Sequence, residues 1–308
     1  MIDPMINLAC PHCHAFLDDV DPTTKRCPKE GLTFHQKDGI WRMLLPEREE
    51  YFARFIRDYE TVRRSEGRGS IDESYYRTLP YHQPPDWQIR AASFDAFLKK
   101  VIIPSDEKSK SLRILDLGAG NGWLSNRLAL RGHNVAAIDL TSNDFDGLGC
   151  HRFYETSFLP VQAEFDHLPF SDGGADIILF NASLHYSVDI HATLAEALRV
   201  LDKSGSVVIL DSPVYHNPQS GAQMVRERET QFTKQYGFAS NSLQSENYLT
   251  YRRLTELAHE LNLVWKFITP FYNLGWVLRP FFAFLFRRRE PAKFHVIVGR
   301  RRYPDGSG

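Results

Sequence analysis

The stretch LDLGAGNGWLS, Leu115 to Ser125, decides the fold. Leu112 to Leu117 (LRILDL) has the large apolar and β-branched residues of a short buried strand. It runs into three alternating glycines, Gly118, Gly120 and Gly122, and then into a helix with Trp123, Leu124 and Leu128 on one side. Glycine lets such a turn take left-handed backbone angles and lets a ligand lie against bare main chain. The start of the helix offers unpaired N–H groups to a ligand carboxylate or phosphate. The spacing is not the GxGxxG of a dinucleotide site. Asp116, two residues before the first glycine, would repel a pyrophosphate and suits a ligand that carries positive charge.

Downstream, Gly132 ends the helix, and Asn134 to Ile138 (NVAAI) predicts a second buried strand closing on Asp139. An acid at that strand tip, about twenty residues past the glycines, is placed to accept hydrogen bonds from ribose hydroxyls. Asp176 to Asn181 predicts another strand, Ala192 to Leu201 a helix and Gly205 to Asp211 (GSVVILD) a further strand. Strands alternating with helices predict an α/β fold with a doubly wound parallel sheet and its ligand over the carboxyl ends of the strands.

Asp116-x-Gly118-x-Gly120-x-Gly122 resembles the first motif of class I S-adenosylmethionine-dependent methyltransferases, and Val161 to Tyr186 resembles the next two motifs. The resemblance covers roughly 112–211 and implies a seven-stranded Rossmann-like sheet. It implies cofactor contacts at Asp116, Gly118, Ala119 and Gly120, and at Asp139 with Leu140. It also implies Glu164 on the adenine amino group, Phe165 beside the base and Asn181 near the methionine moiety. The sulfonium methyl is electrophilic, so transfer needs a nucleophile held in line and gains from a base with pKa near the operating pH. His185, Tyr186 and His216 follow the fourth and fifth strands, at the edge from which an acceptor approaches, and are the catalytic candidates.

Three of the four cysteines cluster: Cys10-Pro11-His12-Cys13 and, thirteen residues on, Cys27-Pro28. The pattern resembles a zinc ribbon that precedes the methyltransferase domain in several families, with Glu30 where a fourth Cys should stand. Glu30, His35 or His14 could complete the site, or the ribbon could have lost its metal. Cys10 to His14 also matches the c-type haem signature CxxCH, but Cys27 would then have no role and no export signal is apparent.

The chain of 308 residues, 43% hydrophobic, suits one main domain with an appendage. We divide it into a ribbon-like segment, 1–45; a helical lid and linker, 46–105; and the methyltransferase domain, 106–303, with insertions at about 212–250 and 269–293. In the second part, Tyr51, Phe52, Phe55, Ile56, Tyr59 and Val62 form a helical stripe expected to pack on the core, and Tyr75, Tyr76, Tyr81 and His82 are candidates to line a lid. A net charge of −1 excludes a global basic field for DNA or RNA. No apolar stretch reaches the roughly twenty residues of a membrane span, and a cytoplasmic location is expected.

Helices at Ala222 to Tyr236 and Tyr251 to Leu261 and strands at Asn262 to Ile268 and Phe294 to Gly299 are expected to complete the fold. Between the two strands lie Phe271, Tyr272, Trp276, Phe281, Phe282 and Phe284, followed by Arg287, Arg288 and Arg289. An aromatic run flanked by arginines suits a helix in a membrane interface or on a lipid-like substrate. Folding back on the core or a dimer face is the other reading. The function these residues imply is methyl transfer to a small, hydrophobic or lipid-linked acceptor. An RNA base methyltransferase and a non-catalytic cofactor-binding module stay as alternatives. Asn181-Ala182-Ser183-Leu184 is not an NPPY motif, which weighs against the first, and the full set of cofactor motifs weighs against the second.

Overall fold

Short apolar strands flanked by helices assemble here into one sheet of eleven strands. The computed structural model describes residues 6–81, 85–106, 111–237 and 243–302; His82 lies outside them. The first strands are β1 (Asp18–Asp21), β2 (Thr24–Arg26), β3 (Thr33–Lys37) and β4 (Ile40–Arg42). Then come α1 (Pro46–Ser65), α2 (Glu73–Thr78) and α3 (Pro85–Phe97), which runs through a π-helical turn, Leu98–Ile102, into α4 (Ile103–Asp106). The nucleotide-fold half follows as β5 (Arg113–Leu117), α5 (Trp123–Ala129), β6 (Asn134–Asp139), β7 (Leu159–Gln162), β8 (Ala175–Asn181), α6 (Ile190–Val200) and β9 (Leu201–Leu210). The chain ends with β10 (Val214–Tyr215), α7 (Pro218–Tyr236), β11 (Leu249–Thr250), α8 (Tyr251–Glu260), β12 (Leu263–Ile268), α9 (Leu274–Leu285) and β13 (Val296–Arg301).

Seven strands in the order β7-β6-β5-β8-β9-β13-β12 form the expected sheet. The first five are parallel, and β13 runs antiparallel between β9 and β12. Alternate residues face opposite layers. Leu115 and Leu117 of β5 pack with Ile190, Leu194 and Leu257, whereas Ile114 packs with Phe94, Phe97, Leu124 and Leu128.

The ribbon is not a separate body. Its strand β4 pairs in parallel with β7, Trp41 opposite Val161, so the four amino-terminal strands extend the main sheet. Cys10, Cys27, Phe34, Trp41 and Met43 share one buried core with Leu115, Ile138 and Phe170.

Two boundaries differ from the sequence reading. Helix α7 begins at Pro218 because Asn217 caps it, accepting from the Gln219 N–H, and Pro fits the first turn. Strand β9 starts at Leu201, directly after α6, with a register break before Ser206 pairs Ile177 of β8; the half-buried Asp202 and exposed Lys203 and Ser204 lie in that break. Helix α9 has no buried residue: Leu274 is 72% and Phe284 84% exposed. Of the six aromatics expected to act together, Phe271, Phe281, Phe282 and Phe284 are exposed. Tyr272 and Trp276 are half-buried, their rings tilted against each other at 4.9 Å, with Trp276 against Phe294 at 5.9 Å.

Candidate active site

Gly118 closes the turn after β5 with φ +78, and a Cβ there would lie 2.4 Å from Cβ of Ser183, so only glycine fits. The turn is tied to the next strand tip. Asp139 accepts the Gly120 N–H at 2.8 Å through one oxygen, and the Thr141 N–H and hydroxyl, each at 2.7 Å, through the other. The loop amides are therefore engaged within the chain: Trp123 N–H also donates to Asn121 Oδ1. With α5 only seven residues long, its start is not the open anion site anticipated from the sequence.

Two joined cavities, of about 270 and 450 Å³, lie over the carboxyl ends of β5, β6, β8 and β9 and share Tyr59, Gly118, Ala182 and Tyr186. Asp139, Leu140, Glu164 and Phe165 line the smaller; Ala119, Gly120, Asn181 and His185 line the larger. The expected cofactor residues thus surround a single bipartite space, with one exception. Asp116 lines neither cavity. It lies fully buried beneath the glycine turn, where Ser125 Oγ donates to it at 2.8 Å and its Oδ1 has no partner among the described residues.

Glu164 is not a free acceptor. Arg48 of α1 grips both its oxygens, Nε at 2.6 Å and Nη2 at 2.5 Å, and His167 adds a contact at 2.9 Å. The α1 stripe, expected to pack on the core, instead brings Arg48, Tyr51, Phe52, Phe55 and Tyr59 to the smaller cavity as a wall. Only Phe52 of that helix is buried. The signal was Arg48, which lies on the same helical face three to four residues before Tyr51 and Phe52.

Burial, followed by the charge of Arg228, pushes His185 down to about 3, so its ring is neutral. It can hydrogen-bond, as its Nδ1 does with Ser212 Oγ at 3.3 Å, but it is a weak base at neutral pH. Tyr186 packs against His185 and edge-on to Tyr59, where the cavities meet. His216 is outside both cavities: it is exposed, stacked on Tyr251 and within 3.2 Å of Lys293 Nζ. Strand β9 ends at Leu210, and the intervening residues turn His216 away from the sheet mouth.

Asp211 was not singled out from sequence, although it ends the motif GSVVILD as Asp139 ends NVAAID. It is buried, left-handed at φ +50, and lines the larger cavity. Ser93 Oγ donates to its Oδ1 at 2.5 Å, and Oδ2 has no hydrogen-bond partner among the described residues. Burial raises it to about 6, against the opposing effects of Ser93 and Arg90. A carboxylate with one free oxygen and a pKa near neutrality can take a proton from an acceptor.

The sulfurs of Cys10, Cys13 and Cys27 lie within 4.8 Å of one another, Cys13 and Cys27 3.5 Å apart. Glu30 does not join them through its carboxylate; it is exposed and contributes its backbone N–H to Cys27 Sγ at 3.3 Å. His14 faces Glu196 and His35 contacts Thr24, so neither completes the cluster. No carboxylate or imidazole among the described residues does.

Residues 115–209 match the family described as "Methyltransferase domain". A malonyl-[acyl-carrier protein] O-methyltransferase of Erwinia billingiae is 29% identical over 96 residues, 31% of this chain and 37% of the relative. A demethylmenaquinone methyltransferase of Clavibacter sepedonicus is 35% identical over 100 residues, 32% of this chain and 40% of the relative. Among solved structures, the YcgJ protein of Bacillus subtilis superposes with a TM-score of 0.48 at 14% identity, covering 66% of this chain and 97% of that one. The chain spans well under half the length of the two curated relatives. Residues 115–209 thus carry a methyltransferase domain.

The buried Asp116 gives a stability signature. Burial first, and then the charge of Asp139, raise its carboxyl from 3.8 to about 7. The folded chain keeps a proton there that the unfolded chain releases near pH 4, so this group makes stability fall as pH rises from about 4 to about 7. Asp116→Asn removes that contribution and should flatten the fall by up to ~4 kcal/mol. Urea denaturation across this range reads it; a variant whose pH profile parallels wild type would refute the assignment.

Proposed function

We propose that this chain transfers a methyl group from S-adenosylmethionine to a small-molecule acceptor, hydrophobic or lipid-linked, by in-line displacement. The observation that carries the reading is the bipartite cavity at a glycine turn, with acids on its smaller side and Asn181 on its larger. Asn181 Oδ1 is buried without a partner among the described residues, and suits the ammonium of a methionine moiety. The cofactor supplies an electrophilic methyl group on sulfur. Asp139 holds ribose hydroxyls, Phe165 packs on the base, and the Arg48–Glu164 pair presents both donor and acceptor to its edge. Tyr59 and Tyr186 narrow the passage and exclude water. Asp211 Oδ2 accepts the acceptor's proton, with neutral His185 as a hydrogen-bonding neighbour. The RNA-base reading is not favoured, because the net charge is −1.

Calorimetry should detect S-adenosylmethionine binding, and Asp139→Ala should weaken it by roughly 1.5–3 kcal/mol through loss of charge-assisted hydrogen bonds. Binding of NAD with no response to S-adenosylmethionine would sink the reading. Mass spectrometry of cell extracts with and without the protein then looks for the product's added methyl group.

Helix α9 supports contact with a membrane surface, since Leu274, Val277, Phe281, Phe284 and Leu285 expose a contiguous apolar face. No helix among the described residues is long and apolar enough to cross a membrane. Arg287 and Arg288 are exposed beside it, whereas Arg289 turns inward to Glu227 at 2.7 Å and Tyr215 at 3.4 Å. Co-sedimentation with anionic vesicles should drop in Arg287→Ala/Arg288→Ala, each arginine contributing about 1 kcal/mol. Wild type that ignores both neutral and anionic vesicles would exclude the contact.

For the cysteine cluster the reading is a zinc site with three thiolate ligands and a fourth position that no described side chain fills. Elemental analysis of protein purified without chelator should find zinc near one per chain, lost in Cys10→Ser; metal-free wild type would leave a packing role only.

A further inference from the structure

The larger cavity holds more positive charge than its carboxylates balance. Five arginines line it against two aspartates. Arg63 is held by Asp146, and Arg289 by Glu227. Two others have no carboxylate partner among the described residues. Arg90 lies face-on to Trp87, 4.6 Å from the ring centre, and Arg279 lies on Trp276 at 3.9 Å. Stacking engages the flat faces of a guanidinium and leaves its N–H edge free for a planar or tetrahedral oxyanion. Arg228, paired with Glu229 at 3.6 Å and donating to Asn247 Oδ1, adds a buried Nε–H with no acceptor among the described residues. Burial depresses both Arg90 and Arg279, and the charge of Asp211 only partly offsets this at Arg90. A guanidinium stays charged in a protein, so the cavity is left in need of an anion.

Its connection to the surface says what carries that anion. Arg279 belongs to α9 and lines both this cavity and an outer groove walled by Phe282 and Phe286. The free guanidinium edges therefore lie next to the exposed apolar helix. We propose that the larger cavity binds the oxyanion headgroup of an amphiphilic acceptor, a phosphate or carboxylate gripped by Arg90 and Arg279, with its apolar tail leaving along α9. The inference rests on the transferase reading, since it concerns the acceptor side of the same site, next to Asn181 and Asp211.

Three probes with the same twelve-carbon tail test it by calorimetry on the full chain: dodecyl phosphate, dodecanoate and dodecan-1-ol, each below its micelle concentration, with and without S-adenosylhomocysteine. At least one anionic probe should bind about tenfold or more tighter than the alcohol, and the stronger of the two identifies the headgroup. Arg90→Gln and Arg279→Gln should each weaken that probe by roughly fivefold or more, while Arg226→Gln, exposed on α7, leaves it unchanged. Arg279 lies on a surface helix, so its variant remains informative if Arg90→Gln unfolds. Equal affinity for the alcohol, no binding of either anion, or full anion affinity in the arginine variants would overturn the proposal. Failure of the transferase reading would register separately, as wild type that does not bind S-adenosylhomocysteine.

Discussion

The hydrogen bond from the Gly120 amide to Asp139 joins the tips of two adjacent parallel strands, and the site depends on it. It draws the glycine turn across the end of β6 and fixes the carboxylate in the wall of the smaller cavity. The close approach of Gly118 to Ser183 ties the same turn to the segment after β8. Three strand ends are thereby held together by hydrogen bonds between main chain and the side chains of Asp139 and Ser183. The cost is borne beneath the turn by Asp116, a buried carboxyl with one unmatched oxygen.

Electrostatics divide the space above. On the smaller side, carboxylates predominate and Arg48 answers Glu164 across the cavity. On the larger side, guanidinium groups outnumber carboxylates, and the two with no ion partner are held by indole faces. The cofactor's methionine end and an anionic acceptor would meet on the larger side, where Asn181 faces the ammonium and the unpaired arginines face the anion. Helices α1 and α9, from opposite ends of the chain, supply Arg48 and Arg279.

The amino-terminal strands solve a different problem. A parallel sheet ending at β7 would present an unpaired edge, which invites association with other chains. Strand β4 covers that edge, and the cysteine cluster packs its turns against the main core. The amino-terminal segment is thus a margin of the sheet, with the cysteine cluster at its turns.

The order of strands, the glycine turn and the acids at the strand tips were legible in the sequence, because strand periodicity and glycine's backbone freedom are local properties. Local rules also located the ribbon cysteines, which spacing alone brought into one cluster. Placement across the fold was not legible. Whether the α1 stripe faced core or cavity depended on which surface it met, and hydrophobic periodicity is the same for both. Asp116 and Asp139 looked alike as acids beside glycines, yet one is sealed under the turn and the other opens to the cavity. His216 and Asp211 lie five residues apart, and only the path of the chain after β9 turned one outward and left the other inside. The arginine cavity draws on α1, α3, α7 and α9, and no local pattern records that convergence, because charge balance in a cavity is a sum over residues that only tertiary folding brings together.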